Sequence, residues 1–401
     1  MTAVLAASMP VAGALQAPRA SERRISIRRP RQYSPIPGGM PAPGTERVVV
    51  LVPAHNEAGS IAETVRCALD QERVPDAVVV IANNCSDDTA AIAARFPAPV
   101  IVLDVTVPKS HGKSRALNLG WRLHCQDADV VVCLDADTSL PRNAIADWVQ
   151  EFQDDDTLAG SSSKFTMRGS DLLTRMQRAE FARWTDRSLR LGWTPVLGGT
   201  GCALRQDALM AIAALDDREG PWSYSSQVED FELTYQLRLR NWLCRVSPTV
   251  RAYTDSMKTV CALWGQRMKW QVGTIEDLMR FGINRLTWRE WHAQLVGVVS
   301  MLFRTTWVGL LVLSLSLHVF VFQPQWLLVT LLVVANDVRQ SLLIPHRDRV
   351  DVLLAATLLP KELMTWLWTG WFVAAWREAL VGRITHRSRD RWALQYRAEG
   401  A

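Results

Sequence analysis

Short, unbroken apolar runs punctuate the first half of the chain at regular intervals. Residues 47–52 read RVVVLV and are closed by Pro53; residues 77–82 read AVVVIA; residues 100–105 and 130–134 follow. Runs this short and this apolar predict buried strands. Between them, residues 61–69, 89–95 and 114–124 space their apolar positions as helices do, and a further helix is predicted from about 142 to 152. Strand and helix thus alternate at βαβ spacing, and strands without polar alternation are strands covered on both faces. The pattern predicts an α/β fold, a Rossmann-like mixed, mainly parallel sheet flanked by helices. Further on, residues 170–191 predict a long helix, 198–201 a glycine-rich turn, 228–240 a helix, and 243–247 and 250–253 two strands.

After about residue 293 the texture changes. Residues 307–322 (WVGLLVLSLSLHVFVF) carry no formal charge, and residues 297–303 extend that run upstream across Arg304. Residues 326–335 and 352–359 are apolar, and 363–376 are apolar and rich in tryptophan. A membrane helix needs about 20 apolar residues. The first run comes close to this, the second would carry Asn336, Asp337 and Arg339, and the last is interrupted by Pro360, Lys361 and Glu362. Short pieces also suit buried core helices. Against that, eleven of the 17 tryptophans fall at or after Trp264, and tryptophan at apolar–polar borders marks a membrane interface. The expectation is a multi-pass protein of the plasma or inner membrane. Two spans would be joined by residues 323–325, and the Pro-Lys-Glu segment would form a hairpin or interfacial helix. His346, Arg347, Arg349, the basic C-terminus and the catalytic domain would be cytoplasmic.

Charge sharpens this picture. The net charge of +5 over 401 residues is mild, but Arg19, Arg23, Arg24, Arg28, Arg29 and Arg31 crowd one end and Arg377, Arg383, Arg387, Arg389, Arg391 and Arg397 the other. Basic segments beside apolar ones suit anionic membrane lipids. Nucleic acid is not expected, because no binding motif or aromatic–basic stripe accompanies the arginines. The seven cysteines are scattered, odd in number and never spaced Cys-x-x-Cys, which argues against a disulfide framework or zinc site. The organisation expected is a flexible basic tail (1–45), a catalytic domain (46–260), amphipathic interfacial helices (261–300), membrane helices (301–380) and a basic cytoplasmic tail (381–401).

The chemistry gathers where strands end, and in open α/β sheets ligands bind beyond the carboxyl ends of strands. The first strand runs into Pro53, Asn56 and Glu57, a loop suited to a base or ribose, although such loops are polar in any case. The second ends at Asn83, where Asp87 or Asp88 could also cap the next helix. Lys113 and Arg115 sit at a helix start that already favours anions. The fourth strand ends in Asp135-Ala136-Asp137. Two carboxylates emerging from a buried strand repel each other unless a cation lies between them, and hard Mg²⁺ or Mn²⁺ with phosphate oxygens is the natural occupant. Glu229 and Asp230 open an apolar-periodic helix, as caps or as a general base. Residues 266–270 (QRMKW) precede the apolar region and suit an amphipathic interfacial helix.

In this order, over about residues 46–270, these motifs resemble the family-2 glycosyltransferases of the GT-A fold, in the membrane branch with cellulose, hyaluronan and poly-N-acetylglucosamine synthases. The resemblance implies that Pro53, Asn56, Glu57 and Asn83 meet the nucleotide, with Asn83 in place of the usual Asp. It implies Lys113 on the donor side, and Asp135 and Asp137 on metal and diphosphate. Gly199, Thr200 and Gly201 fall near the acceptor. Asp230 is the base, with Glu229 beside it. Gln266, Arg267 and Trp270 match the Gln-x-x-Arg-Trp motif on the donor side, with Lys269 in place of its Arg. Lysine cannot make arginine's bidentate phosphate contact, which speaks against processive synthesis.

The reaction expected is inverting transfer of a hexosyl or N-acetylhexosaminyl group from a nucleotide sugar, UDP-linked, to a hydroxyl of a glycan, lipid or protein acceptor at the membrane. Transfer of a single sugar rather than polymer synthesis is the alternative within this class. Outside it stand a sugar nucleotidyltransferase, which opens with a glycine-rich basic loop rather than Pro-Ala-His-Asn-Glu, and a non-enzymatic membrane subunit, which leaves both acidic pairs unexplained.

Overall fold

The structure, a computed structural model, describes residues 33–108, 111–385, 391, 392, 394 and 395. Arg19 to Arg31, Arg387, Arg389 and Arg397 lie outside the described residues.

Strands β1 (Val48–Ala54), β2 (Ala77–Asn83), β3 (Val100–Val105) and β4 (Val130–Cys133) alternate with helices α1 (Ile61–Leu69), α2 (Thr89–Ala93) and α3 (Gly112–His124), and α4 (Ala144–Asp154) follows. β1, β2, β3 and β4 pair in parallel, with β1 between β2 and β4. Next come β5 (Leu158–Ser162), the short β6 (Thr166–Met167), α5 (Leu172–Leu191), β7 (Cys202–Arg205), α6 (Gln206–Ala213) and α7 (Glu229–Leu239), and then β8 (Leu243–Val246) and β9 (Tyr253–Thr254). The main sheet has the order β3-β2-β1-β4-β7-β5-β8, and β7 is its antiparallel member. β6 and β9 form a separate parallel pair.

Both faces of the sheet are covered. Val49 and Leu51 of β1 join Trp121, Leu209, Ile212 and Leu237 under α3, α6 and α7. Val48, Val50 and Val52 join Ile61, Val65, Trp148 and Phe152 under α1 and α4. Neighbouring valines point to opposite faces, so an all-apolar run is what a doubly covered strand requires. Truncating Trp148 or Phe152, both fully buried, would cost about 3–5 kcal/mol.

Three expectations need correction here. β1 does not stop at Pro53: its ladder with β4 ends at Leu51 while its ladder with β2 continues to Ala54. One side of Pro53 is therefore free of a ladder, and the missing N–H costs nothing there. The N-terminal tail is shorter than residues 1–45, because Ser34 and Ile36 donate backbone hydrogen bonds to Asn241 and Asp156, and Ile36 is buried in the core. The C-terminal helices also depart from the expected spans.

α8 (Val260–Phe281) leads from the α/β sheet and its helices into α9 (Trp288–Ser316), α10 (Trp326–Ser341), α11 (Arg349–Ala356) and α12 (Leu358–Thr385). Among the described residues one helix, α9, is long and apolar enough to cross a membrane, so several spans are not found. α10 has only 16 residues, and residues 317–322 are not helical. α12 continues through Pro360, Lys361 and Glu362 instead of breaking. Pro360 lies in its first turn, where backbone N–H groups have no helical partner. Lys361 pairs with Asp337 of α10 at 2.6 Å, and Glu362 pairs with Arg304 of α9. The charges that interrupt the apolar pattern thus join three helices. α12 also packs along α8, with Trp371 and Ala375 against Met268 and Val272.

Candidate active site

β2 and β3 lie on one side of β1, and β4 lies on the other. The tips of β1 and β4 therefore flank the point where the sheet's winding reverses, which is where an α/β sheet opens a crevice. Above it lies a cavity of about 450 Å³ lined by residues from both tips, from α5, from the segment before α7 and from α8. That volume falls in the range of small-ligand sites.

Its floor is acidic. Asp135 and Asp137 follow β4 directly, and the Asp135 N–H donates to the Gly199 carbonyl at 3.1 Å. Asp137 accepts from Thr138 and from Thr254 of β9, at 3.1 and 3.2 Å. Burial, then the charges of Asp135 and Asp255, pushes the Asp137 carboxyl up to about 6. Glu57, which accepts from Ser60 at 2.6 Å, is pushed up to about 7 by burial, with Asp137, Asp135 and Asp255 adding to it. Carboxylates crowded in this way favour a cation among them. Oxygen donors suit a hard one, Mg²⁺ or Mn²⁺. Among the described residues no group of three or more His, Cys, Asp or Glu side chains converges on a metal position, so the Asp135–Asp137 pair would leave most of the shell to phosphate oxygens and water.

Facing the floor are two lysines and the opening turn of α7. Lys113 Nζ lies 2.5 Å from Asp135 and 3.6 Å from Glu229. Burial opposes its charge, but these carboxylates hold the ammonium well above its usual range. Gly199 makes the approach possible, since a Cβ there would sit 2.8 Å from Lys113 Nζ and 3.2 Å from the Asp135 carboxylate. Lys269 of α8 faces the same group. Burial pulls it down to about 8, with Glu229 and Asp230 opposing. Asp230 accepts from the Phe231 N–H at 2.8 Å. Burial, then Glu229, pushes its carboxyl up to about 6 against the pull of Lys113 and Lys269. A buried carboxyl raised toward neutrality is what a general base needs.

The opposite wall is aromatic. Phe165 packs on Phe181 and Trp184 with centroids 4.7 and 5.6 Å apart, and Phe181 meets Trp270 edge-on at 6.2 Å. Arg267 lies over Phe181 and Trp270 and pairs with Glu180 at 2.8 Å. It therefore belongs to this wall, and of these two α8 cations it is Lys269 that faces the carboxylates.

Thirteen of the residues singled out from sequence line this cavity or its floor: Pro53, Glu57, Asn83, Lys113, Asp135, Asp137, Gly199, Thr200, Glu229, Asp230, Gln266, Arg267 and Trp270. Asn56 and Gly201 do not. Asn56 holds the β1 loop to the β2 loop by accepting from Ser86 N–H at 2.7 Å. Gly201 has φ +119°, and a Cβ there would point at Leu140, Ser163 and Trp148 rather than the cavity. His55, Asp255, Trp392 and Gln395 also line it and were not expected. The Trp392 ring sits over Lys269 at 3.1 Å and Lys113 at 5.7 Å. Nothing in local sequence signals a contact between residues so far apart. Asp255 follows the two-residue strand β9, which has no apolar run like the one that drew attention to Asp135.

Known proteins resemble this chain in sequence and in fold. A poly-beta-1,6-N-acetyl-D-glucosamine synthase from Staphylococcus aureus is 25% identical over 240 residues, 59% of this chain and 56% of that protein. The synthase from Staphylococcus epidermidis is 24% identical over 276 residues, 68% and 65% of the two chains. The chain thus matches little more than half the length of the first of these relatives. A mannosyltransferase from Pyrobaculum calidifontis, solved with GDP-Man and Mn²⁺, shares the fold with a TM-score of 0.58 at 19% identity, over 88% of this chain and 91% of that one. Residues 43–273, more than half of the chain, match the family model described as "Glycosyltransferase like family 2", and the chain belongs to that glycosyltransferase family.

Proposed function

We propose that the protein moves a sugar from a UDP-linked donor to a hydroxyl of a glycan or lipid-linked acceptor, with inversion at the anomeric carbon and at a membrane surface. The observation that carries this reading is that the raised carboxyl of Asp230 shares one cavity with the Asp135–Asp137 pair and two lysines.

The acceptor oxygen attacks the anomeric carbon as Asp230 takes its proton, and the bond from that carbon to the diphosphate breaks. The Phe231 N–H fixes one Asp230 oxygen and leaves the other for the acceptor. Lys113 and Lys269 receive the charge that develops on the departing diphosphate, a preorganised electrostatic contribution. A divalent cation held by Asp135 and Asp137 would neutralise the same charge. Pro53, Glu57 and Asn83, at the tips of β1 and β2, are proposed to hold the nucleoside. The aromatic wall around Trp270 suits the apolar face of an acceptor sugar. Among the large hydrophobics of α9 and α10, Leu302, Leu310, Leu313, Leu328, Leu331 and Leu332 are each more than half exposed. An apolar surface this extended marks a membrane or partner, and a bilayer is the occupant proposed.

The test is incubation of the purified protein with a panel of labelled UDP-sugars and candidate acceptors, with and without EDTA. Transfer from one donor that EDTA abolishes and Mn²⁺ or Mg²⁺ restores is expected. Indifference to chelation, or to every nucleotide sugar, would overturn the reading. Product length measured by mass spectrometry separates single-sugar transfer from polymer synthesis.

A further inference from the structure

The opening turn of α7 hangs from one residue, Val228. The Val228 carbonyl accepts from the N–H groups of Phe231 and Glu232, at 3.0 and 3.1 Å. The Val228 N–H donates to Ser226 Oγ at 3.1 Å, and Ser226 Oγ–H in turn donates to Asp277 Oδ2 at 2.6 Å. Asp277 is fully buried, lies on α8 and has no part in the chemistry proposed above. Four residues before it, Gly273 lets the two segments touch: a Cβ there would sit 3.0 and 3.1 Å from the Val228 methyl groups. Four residues earlier again is Lys269. Positions four apart share a helix face, so a single face of α8 carries Lys269, Gly273 and Asp277 against the segment that ends in Glu229 and Asp230.

We propose that Asp277 and Gly273 are positioning residues for the transfer. Asp277 clamps Ser226, Gly273 sets the distance to Val228, and together they fix Asp230 relative to Lys269. This inference rests on Asp230 being the base. A burial-driven shift of the Asp277 carboxyl up to about 7 makes a neutral amide a fair mimic of it, and an Asn Oδ1 can still accept from Ser226. Arg280, 3.4 Å from Asp277 Oδ1, also holds Ser225 and keeps the loop itself in place.

The experiment measures kcat with the best UDP-sugar, and UDP·Mn²⁺ affinity by calorimetry, for wild type, Asp277→Ala, Asp277→Asn and Gly273→Ala. A displacement of about 1 Å at the base costs up to about 100-fold in rate. Asp277→Ala and Gly273→Ala are therefore expected to lower kcat at least about tenfold, with UDP·Mn²⁺ affinity within about twofold of wild type, while Asp277→Asn keeps most of the rate. Unchanged kcat in Gly273→Ala overturns the inference. So does an Asp277→Asn as slow as Asp277→Ala, or a loss of UDP·Mn²⁺ affinity that parallels the loss of rate. If Asp277→Ala does not fold, Gly273→Ala and Asp277→Asn decide. Failure of the underlying reading looks different: Asp230→Asn turns over like wild type, or wild type transfers nothing.

Discussion

At the scale of single residues, the site sets two protonation requirements against each other. Asp230 must be ionised to accept a proton, and its carboxyl stands at about 6. Lys269 must be charged to meet a diphosphate, and its ammonium is lost above about 8. The pH profile of kcat/KM is therefore expected to rise through about 6 as Asp230 ionises and fall through about 8 as Lys269 loses its charge. Lys269→Arg should remove the alkaline limb, because arginine does not deprotonate in this range, and a profile still falling at about 8 in that variant would exclude Lys269 as its source. Asp230→Asn should lower the transfer rate about 100-fold or more, read from single-turnover product formation, while leaving UDP·Mn²⁺ affinity close to wild type. Sequence identified Asp230, Lys113 and the Asp135–Asp137 pair because each abuts a strong local pattern, a strand end or a helix start. It put Arg267 rather than Lys269 on the diphosphate side, whereas Arg267 packs on Phe181 and Trp270. Neighbouring charges two positions apart on a helix point to different faces, and which face meets the acidic floor depends on how α8 docks.

At the scale of elements, the tight approach of backbone to side chain before β7 is the feature most sensitive to change. The Lys113–Asp135 pair fits against residue 199 only while that residue lacks a Cβ. Gly199→Ala is expected to reduce transfer about tenfold by pushing the lysine off its carboxylate, with little change in melting temperature because the site is at the sheet's rim. A large fall in melting temperature would instead make Gly199 a folding requirement. The elements legible in sequence were those with an unbroken or helically spaced apolar pattern: β1 to β4, α1 to α5, α7 and β8. β5 reads LAGSS and β7 reads CALR. Neither carries a propensity signal, yet both are fully buried because flanking strands complete their ladders and helices cover them. Tertiary context outweighs intrinsic strand preference at such positions.

At the scale of the whole molecule, the apolar helices are tied to the catalytic domain at defined points. Arg175 and Arg178 of α5 bind Asp348 and Asp351 at the start of α11, with distances of 2.7–2.9 Å. The Tyr253 hydroxyl lies 2.9 Å from His346 Nε2, next to the Thr254 that holds Asp137. If α9 and α10 lie in a bilayer, these contacts fix the site's height above it. Purified protein is expected to float with anionic vesicles. Replacing Leu310 and Leu313 of α9 with arginine, at about 2.5–3.5 kcal/mol each near a bilayer centre, should leave it in the soluble fraction. Flotation unchanged in that double variant would remove α9 from membrane binding.

The sequence alone determined the alternation of strands and helices, the double cover of the sheet and the acidic and basic residues at its strand tips, because short-range periodicity encodes burial directly. Only the tertiary structure decided which of those residues meet. It turned Lys269 rather than Arg267 toward the carboxylates, set Asn56 and Gly201 outside the cavity, and brought Asp255 and Trp392 into it. It also carried α12 through Lys361 and Glu362 by giving each a partner on another helix. These outcomes depend on contacts between residues tens to hundreds of positions apart, and such contacts leave no periodic trace along the chain.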